Sequence, residues 1–249
     1  MQQPIVISGA GILGCYISCA LSLQGIESIV LEKKDDEVED SVRTITLNPF
    51  SKNLLDKIGI ENDYSMINKM EVKDFDGTGK IVFKSSEIGM DHLTYVSDFA
   101  TLLMAVRKKA SEKILYKEEI IDIDKKGDLN EVTLSSGKVI KTNLIISSDG
   151  KNSKLANKIP KSDKDYFQTA LTFLASAEKD MNMSAFQIFS DNGICAFMPT
   201  RKKGEDFVTV VWSISKTGFI FQPLAGRDHG FHHVIVQRIH LIGTHHAHM

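Results

Sequence analysis

Apolar and polar positions alternate along this chain in two periods, one near two and one near 3.6. Ile5 to Ser8 is a short β-branched run, the pattern of a parallel strand buried on both faces. After a glycine-rich gap, Ile12 to Leu23 forms an apolar, helix-length segment that Gly25 is placed to end. Ser28 to Leu31 reads as a second strand closing in Glu32, so the first 32 residues predict a βαβ unit.

The charged stretch Lys33 to Asp40 reads as a surface loop. Arg43 to Leu47 is β-prone, and Asn48-Pro49 opens a helix over Phe50 to Ile58 that stops at Gly59. Met70 to Phe75 and Lys80 to Phe83 flank Asp76-Gly77-Thr78-Gly79 and predict a hairpin. Thr94 to Ser97 leads into a helix from about Asp98 to Ser111, with Ser97 as its cap and Leu102, Leu103 and Val106 on its buried face. Short strands follow at Ile114–Tyr116, Glu119–Asp124, Glu131–Leu134 and Lys138–Ile140. Leu144 to Ile146 is a further buried strand, ending in Ser147-Ser148-Asp149-Gly150. From Asp165 to Trp212 the strands lengthen, with turns at Asp191-Asn192-Gly193 and Lys202-Lys203-Gly204, and predict an antiparallel sheet wide enough to cover a ligand.

The gap after the first strand carries the chemistry. Gly9, Gly11 and Gly14 stand in G-x-G-x-x-G spacing, between a strand and a helix. The first allows a tight turn, the second lets a pyrophosphate approach the backbone, and the third lets helix and strand pack closely. The bare N–H groups at the helix start would then face phosphate at the positive end of the helix dipole. Glu32 lies at the distance from the glycines at which a carboxylate accepts a ribose hydroxyl. The order strand, glycines, helix, strand, acid points to a dinucleotide site.

Composition narrows the rest. The 249 residues carry a formal charge of −2 and are 42% hydrophobic and 25% charged, which gives nucleic acid no electrostatic footprint. No apolar run is long enough to span a bilayer, the first strand begins at Ile5, and the three cysteines form no disulfide framework, so a cytoplasmic setting is expected. Cys15 and Cys19, one helical turn apart, read as small core residues. Lysine outnumbers arginine 25 to 5, yet after Lys216 there is neither Lys nor Glu, and seven of the eight histidines fall between His229 and His248. His229, His232, His233 and His240 have no cysteine or carboxylate cluster beside them, and no metal site is assigned to them.

Three segments together resemble the class A flavoprotein monooxygenases of the para-hydroxybenzoate hydroxylase fold, and among them the ubiquinone-biosynthesis hydroxylases. They are the glycine loop with Glu32, the stretch Arg43-Thr44-Ile45-Thr46-Leu47-Asn48 with its following helix, and Leu144 to Ser153 containing Asp149-Gly150. Tyr95-Val96 and Phe207 to Trp212 fit as well, so the resemblance covers residues 4 to 216.

The resemblance implies an α/β fold: a Rossmann-like FAD-binding domain with an inserted antiparallel β-sheet substrate domain. The expected limits are 1–69 and 92–159 for the first, 70–91 and 160–216 for the second, and an atypical histidine-rich tail over 217–249. It implies FAD held by Gly9, Ala10, Gly11, Ile12, Leu13, Gly14, Glu32, Arg43, Asp149 and Gly150, with NAD(P)H as reductant and O₂ as oxidant. An aromatic or polyprenyl-phenol substrate, other ubiquinone-biosynthesis proteins and at most peripheral contact with the inner membrane complete the expected partners. No catalytic acid or base is assigned.

Two departures qualify this. Ser147-Ser148 stand where relatives carry Gly-Ala. Relatives also continue into a third fingerprint, G-D-A-A-H, which is absent here. With the composition break, that absence leads us to expect a truncated, deleted or frameshifted product beyond about residue 216. Alternatives left open are an inactive remnant or scaffold subunit that binds FAD weakly, and a related flavin reductase.

Overall fold

A computed structural model describes residues 3–150, 153–155, 165–177, 180–191 and 193–215, and the backbone of 245–248. The histidine-rich candidates His229, His232, His233 and His240 lie outside the described residues. In chain order the strands are β1 (Ile5–Ser8), β2 (Ser28–Glu32), β3 (Thr44–Leu47), β4 (Ser65–Ile67), β5 (Lys69–Asp74), β6 (Lys80–Lys84), β7 (Thr94–Asp98), β8 (Ile114–Tyr116) and β9 (Ile120–Lys126). They continue as β10 (Leu129–Leu134), β11 (Val139–Thr142), β12 (Ile145–Ser147), β13 (Gln168–Ala175), β14 (Ser184–Ser190), β15 (Gly193–Lys202), β16 (Glu205–Ser215) and β17 (His245–His248). The helices are α1 (Ile12–Leu23), α2 (Pro49–Lys57) and α3 (Phe99–Lys109).

The chain forms two compact units. The first comprises 1–39, 54–61 and 100–162; the second comprises 40–53, 62–99 and 163–249. This partition differs from the limits read from the sequence, because β3 (within 40–53) and β4 (within 62–69) pair with β7 and so share a unit with the large sheet.

The first unit is built on a parallel sheet in the order β12-β1-β2-β8. Both faces of β1 are covered, which is why Val6 and Ile7 are fully buried and no polar residue interrupts the run. The α1 helix buries Gly14, Cys15, Ser18 and Cys19, positions that share one face at 3.6 residues per turn. Ser18 and Ser28 share a 2.8 Å hydroxyl hydrogen bond between α1 and β2. The helix stops at Gly25, in the left-handed region at φ +70, where the Ile26 N–H turns back to Leu21 O.

An antiparallel sheet in the order β11-β10-β9 completes this unit. Its Val132, Leu134, Ile120 and Ile140 form one apolar cluster with Val6 and Leu31. Burying each such side chain contributes about 1.5–3 kcal/mol before chain entropy is subtracted.

The second unit carries a seven-stranded sheet, β17-β13-β16-β15-β14-β5-β6. All of its pairings are antiparallel except one: β14 runs parallel to β5, with Ser184 opposite Lys69 and Phe189 opposite Asp74. Ala175, Met181, Val208 and Val210 pack on this sheet with Phe173, Phe186, Cys195 and Phe197. A smaller sheet, β3-β7-β4, shares with it the cluster of Ile67, Val96 and Ala185.

The expected cap on α3 needs correction. Ser97 belongs to β7, where its hydroxyl accepts from Asn62 Nδ2 at 2.7 Å and donates to Asp98 O at 3.0 Å, so it is engaged within the strand rather than at the helix start. At α2 the expected start holds: Asn48 Oδ1 accepts the Ser51 N–H at 2.7 Å and Pro49 takes the first helical position.

Among the described residues of this unit two charged groups are buried. Glu71 is 7% exposed and pairs with Lys69, with Lys80 at 2.9 Å and with Lys73 at 3.8 Å. Hydrogen bonds from Lys69 and then Lys80 hold its carboxyl down to about 2, against the opposing pull of burial. Asp98 faces the Lys202 ammonium at 3.4 Å, and the same ammonium reaches Asp40 at 2.5 Å and Ser41 O. Among the described residues no helix is long and apolar enough to cross a membrane.

Candidate functional site

The parallel sheet places its loop of glycines at the carboxyl end of β1. Gly9 sits at φ +102, a conformation few side chains adopt, and its N–H donates to Leu31 O at 2.8 Å. A Cβ on Gly9 would stand 2.7 Å from Asp149 Cα, so the Asp149 backbone lies directly against the loop.

Gly11 caps α1 in extended conformation with no side-chain cap, and a Cβ there would meet nothing within 4 Å. The first helical hydrogen bond runs from the Cys15 N–H to Gly11 O at 3.0 Å. The N–H groups of Ile12, Leu13 and Gly14 therefore have no acceptor inside the helix. Gly14 is buried, and a Cβ on it would fall 2.0 Å from Gly9 O. Open space at Gly11, closed space at Gly14 and unclaimed donors at the helix start form an anion cradle, as a dinucleotide pyrophosphate requires.

Ser148 closes the seam. Its N–H donates to Ser8 O at 2.8 Å, and its hydroxyl lies 2.9 Å from both Ser8 O and Gly9 O. The departure from Gly-Ala thus adds a donor to the turn of the loop. Ser147 donates to Asp149 Oδ1 at 2.7 Å and shares a hydrogen bond with Ser153 Oγ at 2.8 Å. Asp149 and Gly150 are exposed, and Gly150 turns at φ +79.

Glu32, at the end of β2, accepts the Ala10 N–H on Oε2 at 3.1 Å and the Lys34 N–H on Oε1 at 3.1 Å. Sequence reasoning missed its third partner, Arg107 on α3, whose Nη2 donates to Glu32 Oε2 at 3.2 Å and whose Nε donates to Ala10 O at 2.9 Å. One signal was available: arginine is scarce in a chain that otherwise uses lysine, and a planar fork is what lysine cannot supply.

Nine of the ten sequence-derived site residues (Gly9, Ala10, Gly11, Ile12, Leu13, Gly14, Glu32, Asp149 and Gly150) lie in the first unit. Arg43 lies in the second, its guanidinium 4.2 Å from the centre of the Phe99 ring and its carbonyl accepting the Phe99 N–H at 3.0 Å.

The residues present fit the adenosine-diphosphate half of FAD by geometry alone. The family described as the FAD binding domain matches residues 2–218. The mitochondrial ubiquinone biosynthesis monooxygenase COQ6 of Danio rerio is 26% identical over 242 residues, covering 85% of this chain and 49% of that protein. The 3-demethoxyubiquinol 3-hydroxylase of Escherichia coli is 26% identical over 229 residues, covering 85% of this chain and 58% of that one. PqsL of Pseudomonas aeruginosa, solved in complex with 2-aminobenzoylacetate, shares the fold at a TM-score of 0.73 and 18% identity, over 87% of this chain and 62% of its own. The chain spans about half the length of the curated relatives it matches. It belongs to the FAD-binding-domain family of class A flavin monooxygenases.

Proposed function

We propose that this chain serves an FAD-dependent monooxygenase that hydroxylates an aromatic polyprenyl-phenol intermediate of ubiquinone biosynthesis, with NAD(P)H as reductant and O₂ as oxidant. The observation that carries the reading is the cradle at the start of α1: open above Gly11, closed behind Gly14, with Glu32 anchored beside it. The names of the relatives, COQ6 and the demethoxyubiquinol hydroxylase, supply the substrate class.

In this reading the N–H groups of Ile12, Leu13 and Gly14 hold the pyrophosphate, and Glu32 accepts a hydrogen bond from the adenosine ribose. Asp149, Gly150 and Arg43 are proposed contacts nearer the flavin end. Bound FAD supplies the redox and oxygen-activating chemistry. The protein's own work is to bind and orient: the glycine loop with Glu32 serves the cofactor, while the large sheet is proposed to cover an apolar ring and exclude water. Contact with the membrane that carries a polyprenyl substrate is peripheral.

The test is the visible spectrum of the purified chain after incubation with FAD, followed by turnover with NADH or NADPH and prenylated phenols. Near-stoichiometric flavin with phenol-dependent O₂ uptake is expected. Absence of flavin at saturating FAD overturns the cofactor reading. Bound flavin without turnover overturns the activity and leaves a flavin-binding subunit.

A further inference from the structure

We infer that Arg107 is a positioning residue for the nucleotide, holding the glycine loop and Glu32 so that a single acceptor position on that carboxylate faces a ribose hydroxyl. The inference rests on the cofactor reading above and adds to it a residue that does not itself touch the ligand.

The geometry is a closed ring of hydrogen bonds around one residue, Ala10. The Ala10 N–H donates to Glu32 Oε2 at 3.1 Å, Arg107 Nη2 donates to the same oxygen at 3.2 Å, and Arg107 Nε donates to Ala10 O at 2.9 Å. Both backbone polar groups of Ala10 are thereby fixed, although α3 and the loop are far apart in sequence. The two side chains are only 11% and 13% exposed, so the pair works in a partly dry setting. Tyr116 adds a wall, with its ring centre 5.7 Å from the guanidinium carbon.

Counting acceptors gives the consequence. A carboxylate offers about four lone-pair positions. Oε2 takes two donors, Oε1 takes the Lys34 N–H, and one position on Oε1 remains. Without the guanidinium, Oε2 regains an open acceptor position and only the Ala10 and Lys34 N–H groups still hold the carboxylate, so it is less firmly aimed, which costs affinity and selectivity together. Lysine in its place keeps the charge but cannot bridge both acceptors in one plane.

The experiment measures binding of ADP, 2′-deoxy-ADP and 3′-deoxy-ADP to the full 249-residue chain by calorimetry, for the wild type, E32Q, R107M, R107K and E32Q/R107M. The wild type should prefer ADP over one of the deoxy analogues by roughly tenfold or more, the worth of a hydrogen bond to a charged group. R107M should weaken ADP by about tenfold and bring that preference close to one, as E32Q does, with the double variant little worse than either alone. R107K should fall between R107M and the wild type.

An R107M chain that binds every nucleotide more weakly but keeps the wild-type preference overturns the inference and leaves Arg107 a general support of the fold. If circular dichroism shows R107M unfolded, the same criterion is read from R107K, whose retained preference overturns it equally. Failure of the wild-type chain to bind ADP at all overturns the flavin reading itself, and this inference with it.

Discussion

Gly14→Ala and Gly11→Ala separate what the glycine loop does for the fold from what it does for a ligand. A Cβ on Gly14 would fall 2.0 Å from Gly9 O and 2.6 Å from Ser148 Oγ, both inside the 3.0 Å that real Cβ atoms respect. One obstacle is backbone, so relief requires the loop to move. Overpacking of this kind costs about 1–3 kcal/mol. Displacing Gly9 O also weakens its hydrogen bond to Ser148, worth about 1 kcal/mol. Alanine returns about 1 kcal/mol of helix propensity. The balance is a loss of about 2 kcal/mol, a fall in melting temperature of roughly 4–8 °C for a chain of this size.

Gly11 has nothing within 4 Å of a built Cβ and an ordinary φ of −74, so its substitution costs about 1 kcal/mol or less, through the cap. The new methyl nevertheless occupies the approach to the phosphate donors, and FAD affinity should fall at least about tenfold. Differential scanning fluorimetry paired with FAD titration reads both effects. A Gly14→Ala chain melting within about a degree of wild type would refute the close helix–strand approach. A Gly11→Ala chain with unchanged FAD affinity would refute the cradle.

The folded pKa of Glu71 is about 2, below its ordinary 4.5, so its contribution is complete above pH 4.5 and is lost as pH falls toward 2. With the surrounding lysines partly in solvent, that contribution is about 1–2 kcal/mol, and Glu71→Gln should flatten the stability profile between pH 4.5 and 2; parallel profiles would count against it. Lys202→Met leaves the Asp98 carboxylate buried without this cation and should cost about 3 kcal/mol, read as a lowered urea midpoint; an unmoved midpoint would mean the clamp on Asp40 and Asp98 does not form. Burial pushes the Cys15 thiol up to about 12 and raises that of Cys19, so neither should react with iodoacetamide at pH 8 until the chain is unfolded, and rapid native-state alkylation seen by mass spectrometry would contradict the packing of α1.

The βαβ unit was legible to within a residue because each of its boundaries has a local cause. Ile5–Ile7 is uninterruptedly apolar, Gly11 and Gly25 bracket the helix, and no distant partner is needed to decide the period. The hairpin around Asp76-Gly77 was readable for the same reason. What escaped depends on distance. Alternation along β5 and β14 states which residues share a face but not which way the neighbour runs, so their parallel pairing left no trace in either segment. Ser97 was read as a cap because its type suits one, while Asn62, which engages its hydroxyl, lies 35 residues away. Within the site, Glu32 announces itself by its spacing from the glycines, whereas Arg107 arrives on α3 from 75 residues beyond Glu32 and has no fixed offset from them.

The parallel seam between β5 and β14 bears on how this chain emerges from a ribosome. Residues 69–74 are synthesised more than a hundred positions before 184–189, the strand that completes their hydrogen bonding. Throughout that interval the β5–β6 hairpin has an open edge on the β5 side, ready to accept any extended neighbour. Its own charges are the safeguard, since Lys69, Lys73 and Lys80 gather round Glu71 and make a stray β-pairing bring like charges together. A fragment ended at residue 162 would keep every segment of the first unit yet carry this edge permanently unsatisfied. Such a fragment should associate through β5 even where its nucleotide-binding half is sound.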